Sequence, residues 1–393
     1  MPHYEFAFIN GNKLELLNID CLGRPLRLEG SLAGWQQLFW DNNLVSQRDA
    51  SAENEGLHTH EFEVRVTSGI DDPDKLASEP SVATSTQAKI LLIRLSTDLH
   101  WQPFSLSYRL LINDELIIEG KRDSKDIERQ VRTETVAVPQ KMSLLGIASL
   151  GFKLLKSAKV IQVLLAGASL AAYSWLFSFQ FAVALIACLM VHEYGHIRAM
   201  KYFGMKTKGF YIIPFMGGLA LSDDKINTRW QDVTISIMGP IFGLLLSIVL
   251  MLLYWMTGNI FFAGLANFNA LINLINLLPI LPLDGGHILK SIGFSINGKF
   301  GLVAMGIGSL LGILVSYKLG LFFLAFFMFI GSFEIGMEWK TRHQSHLLPL
   351  DRYGQIFSTV WYVLIVGALV GIMWYFGHSG DPVLSAPMSV LRS

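Results

Sequence analysis

Two patterns of apolar and polar positions divide the chain. Up to about residue 140, apolar residues come in short runs broken by polar ones; from 160 to 376 they merge into long stretches. The first pattern predicts β structure. Phe62, Val64 and Val66 alternate with charged residues, as a half-buried strand requires. In SYRLLINDELIIEG, Tyr108, Leu110 and Ile112 share one face, Asn113-Asp114 forms a turn, and a second apolar run follows, so a hairpin is expected. The polar stretch 69–87 reads as a mobile loop. The aromatics of GWQQLFWDNNLVSQ are expected in the core of a small β-sandwich or barrel. His58 and His60 read as a solvated strand face without a role.

The second pattern predicts membrane helices, each needing ~20 apolar residues to cross a bilayer. About seven runs qualify, at 160–178, 179–203, 233–257, 260–282, 301–317, 319–338 and 356–376. The fifth is short, and prolines interrupt the fourth. The expected organisation is a soluble all-β domain over 1–140, an amphipathic juxtamembrane linker over 141–159, a polytopic α-helical domain over 160–376, and a tail over 377–393.

Composition agrees with that division. Of 393 residues, 52% are hydrophobic and 16% charged, and the mean hydropathy is +0.43. That is too apolar for an ordinary soluble domain. Net charge is zero, so nothing in the overall electrostatics favours a nucleic-acid partner. Cys21 and Cys188 lie in different regions and do not suggest a disulfide framework. The start of the chain lacks the basic and apolar segments of a secretory signal, so the first helix is expected to direct insertion. Basic residues then set the topology. Lys153, Lys156 and Lys159, then Arg198, Lys201, Lys206 and Lys208, then Lys290 and Lys299, then Lys340, Arg342 and Arg352 all fall on one side if the N-terminus is cytoplasmic. The other side offers Lys318 and Arg392.

Chemistry is concentrated at VHEYGH (191–196), which closes the second apolar run. Helical residues four apart share a face, so His192 and His196 can present imidazole nitrogens to one metal ion. Glu193, beside the first, can reach a metal-bound water as base without being a ligand. This is the HExxH zinc protease arrangement. Three ionisable residues in a membrane span are costly and usually functional. A catalytic zinc also needs a third protein ligand. The fourth run supplies Asp284 in NLINLLPILPLDGGHIL, where Pro279 and Pro282 break the helix and Gly285-Gly286 are expected to let the backbone turn. Irregular backbone at membrane depth is tolerated where it is buried or lines a wet cavity, so Asp284 is expected to point inward.

The paired motifs VHEYGH and NLLPILPLDGG resemble those of the site-2 protease family of intramembrane metalloproteases. Between them, IPFMGGLAL (213–221) resembles the family's glycine-bearing hairpin, and SIMGPIFGLLLS (236–247) the Gly-Pro start of its third core helix. The resemblance covers about 180–295. It implies one zinc ion per chain on His192, His196 and Asp284, with Glu193 as catalytic base. It also implies a catalytic part for Asn276 in positioning or polarising the substrate. His287 stands where many relatives carry a basic residue and is left unassigned. The link at 257–260 is too short for an inserted PDZ domain, so the compact, PDZ-less branches are the better match.

The implied function is intramembrane zinc proteolysis of transmembrane substrates, in contact with membrane lipid. Two alternatives use the same residues. A metal transporter would show internal repeats and ionisable paths through other helices, yet helices five to seven offer little beyond Glu334 and Glu338. A catalytically silent scaffold would lack a ligand or the base, and all four residues are present.

Overall fold

The structure is a computed structural model that describes residues 14–32, 34–49, 55–67, 88–130, 158–176, 178–213, 217–222, 224–318, 329, 347–378 and 384. The 69–87 loop, nearly all of the juxtamembrane linker and the sixth apolar run lie outside those residues. Two compact units emerge, Met1–Ile127 with His343–Leu348, and Glu128–Arg342 with Pro349–Ser393.

The first unit is all-β, apart from a short helix α1 (Ser124–Glu128) at its end. Strands β1 (Leu14–Cys21), β2 (Arg24–Gly30), β3 (Gln36–Trp40) and β4 (Asn43–Arg48) form one antiparallel meander. Strands β5 (Gly56–Thr67), β6 (Ala88–Trp101), β7 (Phe104–Ile112) and β8 (Glu115–Asp123) form a second. Both sheets contribute to one core, in which Leu16, Leu26, Leu28 and Leu38 meet Ile93, Leu95, Leu106 and Leu110 at zero exposure. The expected hairpin is β7–β8, with Asn113 and Asp114 at φ 51° and 64°, the left-handed pair of a type I′ turn. Asp41-Asn42 makes the same turn between β3 and β4.

Two expectations for this unit need correction. Leu38, rather than the neighbouring aromatics, sits at the core centre; Trp40 packs at its edge and Phe39 lies under Arg27. His60 is not solvated, with 2% exposure, and its ring bridges Gln36 Oε1 and Ser46 Oγ at 3.0 Å each. It shares the inward face of Phe62 and Val64, because residues two apart along a strand point the same way.

The second unit is helical: α2 (Ala158–Leu176), α3 (Phe179–Tyr202), a hairpin of β9 (Thr207–Ile213) and β10 (Gly217–Ser222), α4 (Arg229–Thr257), α5 (Ile260–Asn276), α6 (Asp284–Ile296), α7 (Gly298–Lys318) and α8 (Arg352–Gly377). Among the described residues, α3, α4 and α8 are long and apolar enough to cross a membrane. Helix α4 starts four residues before its apolar run because Thr228 and Gln231 form a reciprocal capping box, and it stops at Gly258, φ 65°. Gly239-Pro240 therefore sits well inside the helix, not at its start. The fourth apolar run holds α5 and most of the irregular segment 277–283 with both prolines, and α6 follows it.

Gly285 and Gly286 do not turn the chain. They form the first turn of α6, and a Cβ on either would overlap the backbone of Leu277–Leu278 or Ile280–Leu281. The glycines let a helix start in contact with the irregular, turn-rich segment that precedes it. Lys290 also departs from expectation: it is 7% exposed within α6 and is no loop charge for topology.

Candidate metal centre

Helix α3 delivers the two histidines from the same face, one turn apart, and α6 delivers Asp284 from its first turn, where a carboxylate suits the positive end of the helix dipole. His192 Nε2 and His196 Nε2 are 3.1 Å apart. Asp284 Oδ2 lies 3.3 Å from the first and 3.5 Å from the second. Four donors held tetrahedrally at the ~2.0–2.2 Å of zinc sites stand about 3.3–3.6 Å from one another. The three edges match that spacing closely.

Two further observations fit an ion at this place. Asp284 Oδ2 and Glu193 Oε2 are buried without a hydrogen-bond partner, which is unfavourable for carboxylate oxygens facing only protein. Gly239 of α4 faces the gap between the rings, and a Cβ there would overlap His196 Nε2 and come within 2.9 Å of His192 Nε2. The cradle is left open by the absence of a side chain.

Both rings are oriented from behind. His196 Nδ1 lies 2.7 Å from the Ile235 carbonyl, which can only accept, so Nδ1 carries the proton and Nε2 presents its lone pair inward. His192 Nδ1 lies 2.8 Å from Asn273 Oδ1. Partners of this kind usually accompany metal-binding histidines. Glu193 is 2% exposed, with Oε1 3.8 Å from His192 Nε2. Strand β10 covers it: the Ala220 backbone donates to its carboxylate, and a Cβ on Gly218 would overlap it. Glu193 with the two histidines also forms a compact three-donor set, within 4.8 Å, but Asp284 approaches both nitrogens more closely than Glu193 approaches His192.

Helices α3 and α4 touch by backbone at this level. A Cβ on Gly195 would overlap the Met238 carbonyl and stand 3.0 Å from Gly239 Cα. On the other flank, Asp232 of α4 accepts a 2.6 Å bond from Ser291 Oγ, and His287 Nδ1 lies 3.6 Å from its other oxygen. His287 thus faces an acid on α4. Asn276, at the last position of α5, is half-buried and makes no polar contact among the described residues.

Sequence reasoning missed Asn273, the Ile235 carbonyl and Asp232. One signal was available: Asn269 and Asn273 sit four apart in an apolar run, where polar side chains usually face the bundle interior.

Comparison with known proteins finds partial matches. A family model described as peptidase family M50 matches residues 180–260. A Synechocystis protein with a provisional zinc metalloprotease name is 34% identical over 167 residues, 38% of this chain and 44% of its own length. A zinc metalloprotease of Methanocaldococcus jannaschii is 28% identical over 166 residues, 38% of this chain and 47% of its own. Stage IV sporulation protein FB of Bacillus subtilis is 26% identical over 188 residues, 44% of this chain and 63% of its own. The chain thus spans about half the length of the relatives it matches. Residues 180–260, which hold HExxH and the glycine hairpin, thus resemble peptidase family M50, and two relatives named as zinc metalloproteases are similar over 38% of the chain.

Proposed function

We propose that this protein is an intramembrane zinc metalloprotease, with His192, His196 and Asp284 as metal ligands and Glu193 as general base. The observation that carries the reading is the triangle of donor atoms at 3.1, 3.3 and 3.5 Å, with a buried carboxylate beside it. A bound zinc ion supplies Lewis-acid polarisation and brings the pKa of water toward ~7. Glu193 takes a proton from the attacking water and returns it to the leaving amine nitrogen. Asn276 donates from its amide to the developing oxyanion, moving inward when a peptide is present.

The substrates are transmembrane helices. A helix has its backbone groups satisfied internally, so it must unwind before a carbonyl is available. The outer edge of β10 is unpaired among the described residues and lies over Glu193, so it can receive the unwound segment as an added strand. In this reading the chain has seven membrane spans over 160–376, with a β domain and juxtamembrane linker ahead of them on the cytoplasmic side. Support for orientation comes from Arg198, Lys201, Lys206 and Lys208, exposed at the end of α3, in the turn after it and at the start of β9. At the opposite ends of α4 and α8, Trp255 Nε1 donates to Tyr375 Oη at 2.9 Å, as aromatic belts do at a membrane boundary.

Two substitutions separate the roles. Glu193→Gln should lower cleavage of a transmembrane substrate by ~10²–10⁴-fold with zinc content unchanged. Asp284→Asn should lower zinc content and activity together. Near wild-type cleavage in the first, or full zinc in the second, overturns the assignment. Orientation is checked by labelling Ser124→Cys in intact cells, against the buried native Cys21 and Cys188. Protection from an impermeant reagent is expected, and modification reverses the topology.

A further inference from the structure

An imidazole binds a metal through Nε2 only if Nδ1 carries the proton and has an acceptor to receive it. His196 obtains that acceptor from main chain, which cannot reverse its polarity. His192 obtains it from Asn273 Oδ1, one end of an amide that could rotate by half a turn. The reversed amide would offer Nδ2 to the ring, favour a proton on Nε2 and close the lone pair to a metal.

Two buried amides prevent the reversal. Asn273 Nδ2 donates to the Asn269 carbonyl at 2.8 Å and to Asn269 Oδ1 at 3.1 Å. Asn269 Nδ2 donates to the Gly243 carbonyl and to Ser247 Oγ, both at 2.8 Å. Each amide thus has acceptors on its nitrogen side, and flipping either would bring oxygen against oxygen. Asn273 and Ser247 have zero exposure and Asn269 has 1%, so no water competes and an unmatched group would be costly. Gly243 completes the arrangement, since a Cβ there would overlap the Asn273 amide.

We propose that Asn273 is a positioning residue for His192, and that the relay from Ser247 and Gly243 through Asn269 makes α4–α5 packing set the metal affinity of the centre. The proposal rests on the zinc-site reading above. It assigns α5 a part in metal binding although that helix supplies no ligand.

The test uses the full-length chain in detergent, with zinc affinity from chelator competition and the visible spectrum of the cobalt-loaded form as a report on ligand geometry. Asn273→Leu should weaken zinc binding by ~10–100-fold and alter the cobalt spectrum. Asn273→Asp, which still accepts from His192 Nδ1 but sets its second oxygen against the Asn269 carbonyl, should weaken binding less than Asn273→Leu and keep the spectrum nearer to wild type. Ser247→Ala, a milder change at the far end, should weaken binding a few-fold, and keeps the idea testable if the leucine variant does not fold. Asn267→Leu is the control: this amide is equally buried on the same helix but donates to the Leu384 carbonyl, and its loss should leave zinc affinity unchanged. Wild-type affinity in both Asn273→Leu and Ser247→Ala, or an equal fall in Asn267→Leu, overturns the relay while the zinc site stands. A wild-type chain that binds no stoichiometric zinc overturns the zinc-site reading and the relay with it.

Discussion

In the β unit the side chains at zero exposure are mostly leucine and isoleucine, from Leu16 and Leu38 to Ile93 and Leu110, and the polar exceptions are few. In the helical unit, His192, Glu193, Asn267, Asn269, Asn273, Lys290 and Ser291 are buried, whereas Leu245, Val249, Leu252, Val303, Val360 and Leu364 lie on the outside. Water accounts for the first arrangement: each apolar Å² removed from it stabilises by about 25 cal/mol. Lipid accounts for the second, because a leucine against acyl chains gains nothing by moving inward. Helices there associate through small residues and polar pairs. Gly195 against the Met238 carbonyl is the first kind; Asn269 with Ser247 of α4 and Asn273 with His192 of α3 are the second. The two units thus follow opposite rules, and the His192–His196–Asp284 cluster belongs to the one where polar groups can be buried together.

The sharpest way to break that contrast is at Gly239. An added methyl group should displace a histidine ring from the cradle, so Gly239→Ala should lose most of its zinc and ~10²-fold or more of any hydrolytic activity, the scale of losing a catalytic proton transfer. Full zinc content in that variant would show that the gap between the rings is not the metal position. The second comparison pairs two aliphatic truncations. Leu95→Ala, at the β core, should destabilise its unit by ~2–5 kcal/mol. Val249→Ala, outward on α4 and 49% exposed, should cost under ~0.5 kcal/mol. Denaturant unfolding of the full chain in detergent, followed by hydrogen exchange in each unit, measures both; equal costs would contradict the lipid-facing assignment.

The smallest expected effect is pH dependence in the β unit. Burial, with lesser contributions from His58 and Arg48, lowers the His60 pKa to about 4. The folded ring stays neutral where the unfolded one, near 6.5, has taken a proton. The unfolded state therefore binds more protons between those values. Stability from this group is complete above about pH 6.5 and is lost as pH falls toward 4, by up to roughly 3 kcal/mol. Hydrogen exchange of β5 and β6 amides at pH 7 and 4.5 reads the effect, which His60→Gln should reduce. An unchanged pH slope in the variant would assign it to other groups.

Legibility followed periodicity. The β7–β8 hairpin, the helix ending in VHEYGH and the break at Pro279–Pro282 are written in residues two or four apart, or in a missing donor, and could be read directly. His60 was legible too, since the parity that turns Phe62 and Val64 inward applies to it, but its polar character obscured that. What spacing could not reveal was contact between helices. Asn273 lies 81 residues from His192 and the Ile235 carbonyl 39 from His196, and a main-chain acceptor leaves no trace in side-chain identity. Gly285 and Gly286 suggested a turn because flexibility and close approach call for the same residue. Lys290 counted as a loop charge because the fourth run ends at 282 by apolar content, before the helix α6 that holds it.

The meeting of Gly195 with the Met238–Gly239 backbone has a mechanical consequence. Bare backbones in contact leave no side chain to yield, so α3 cannot slide or roll on α4 without forcing Tyr194 or His196 into the neighbouring main chain. The pair thus forms a stiff seam beside the His192 and His196 rings. Under the proposed function, room for a substrate helix must then come from elements other than the α3–α4 pair, such as the β9–β10 hairpin over Glu193.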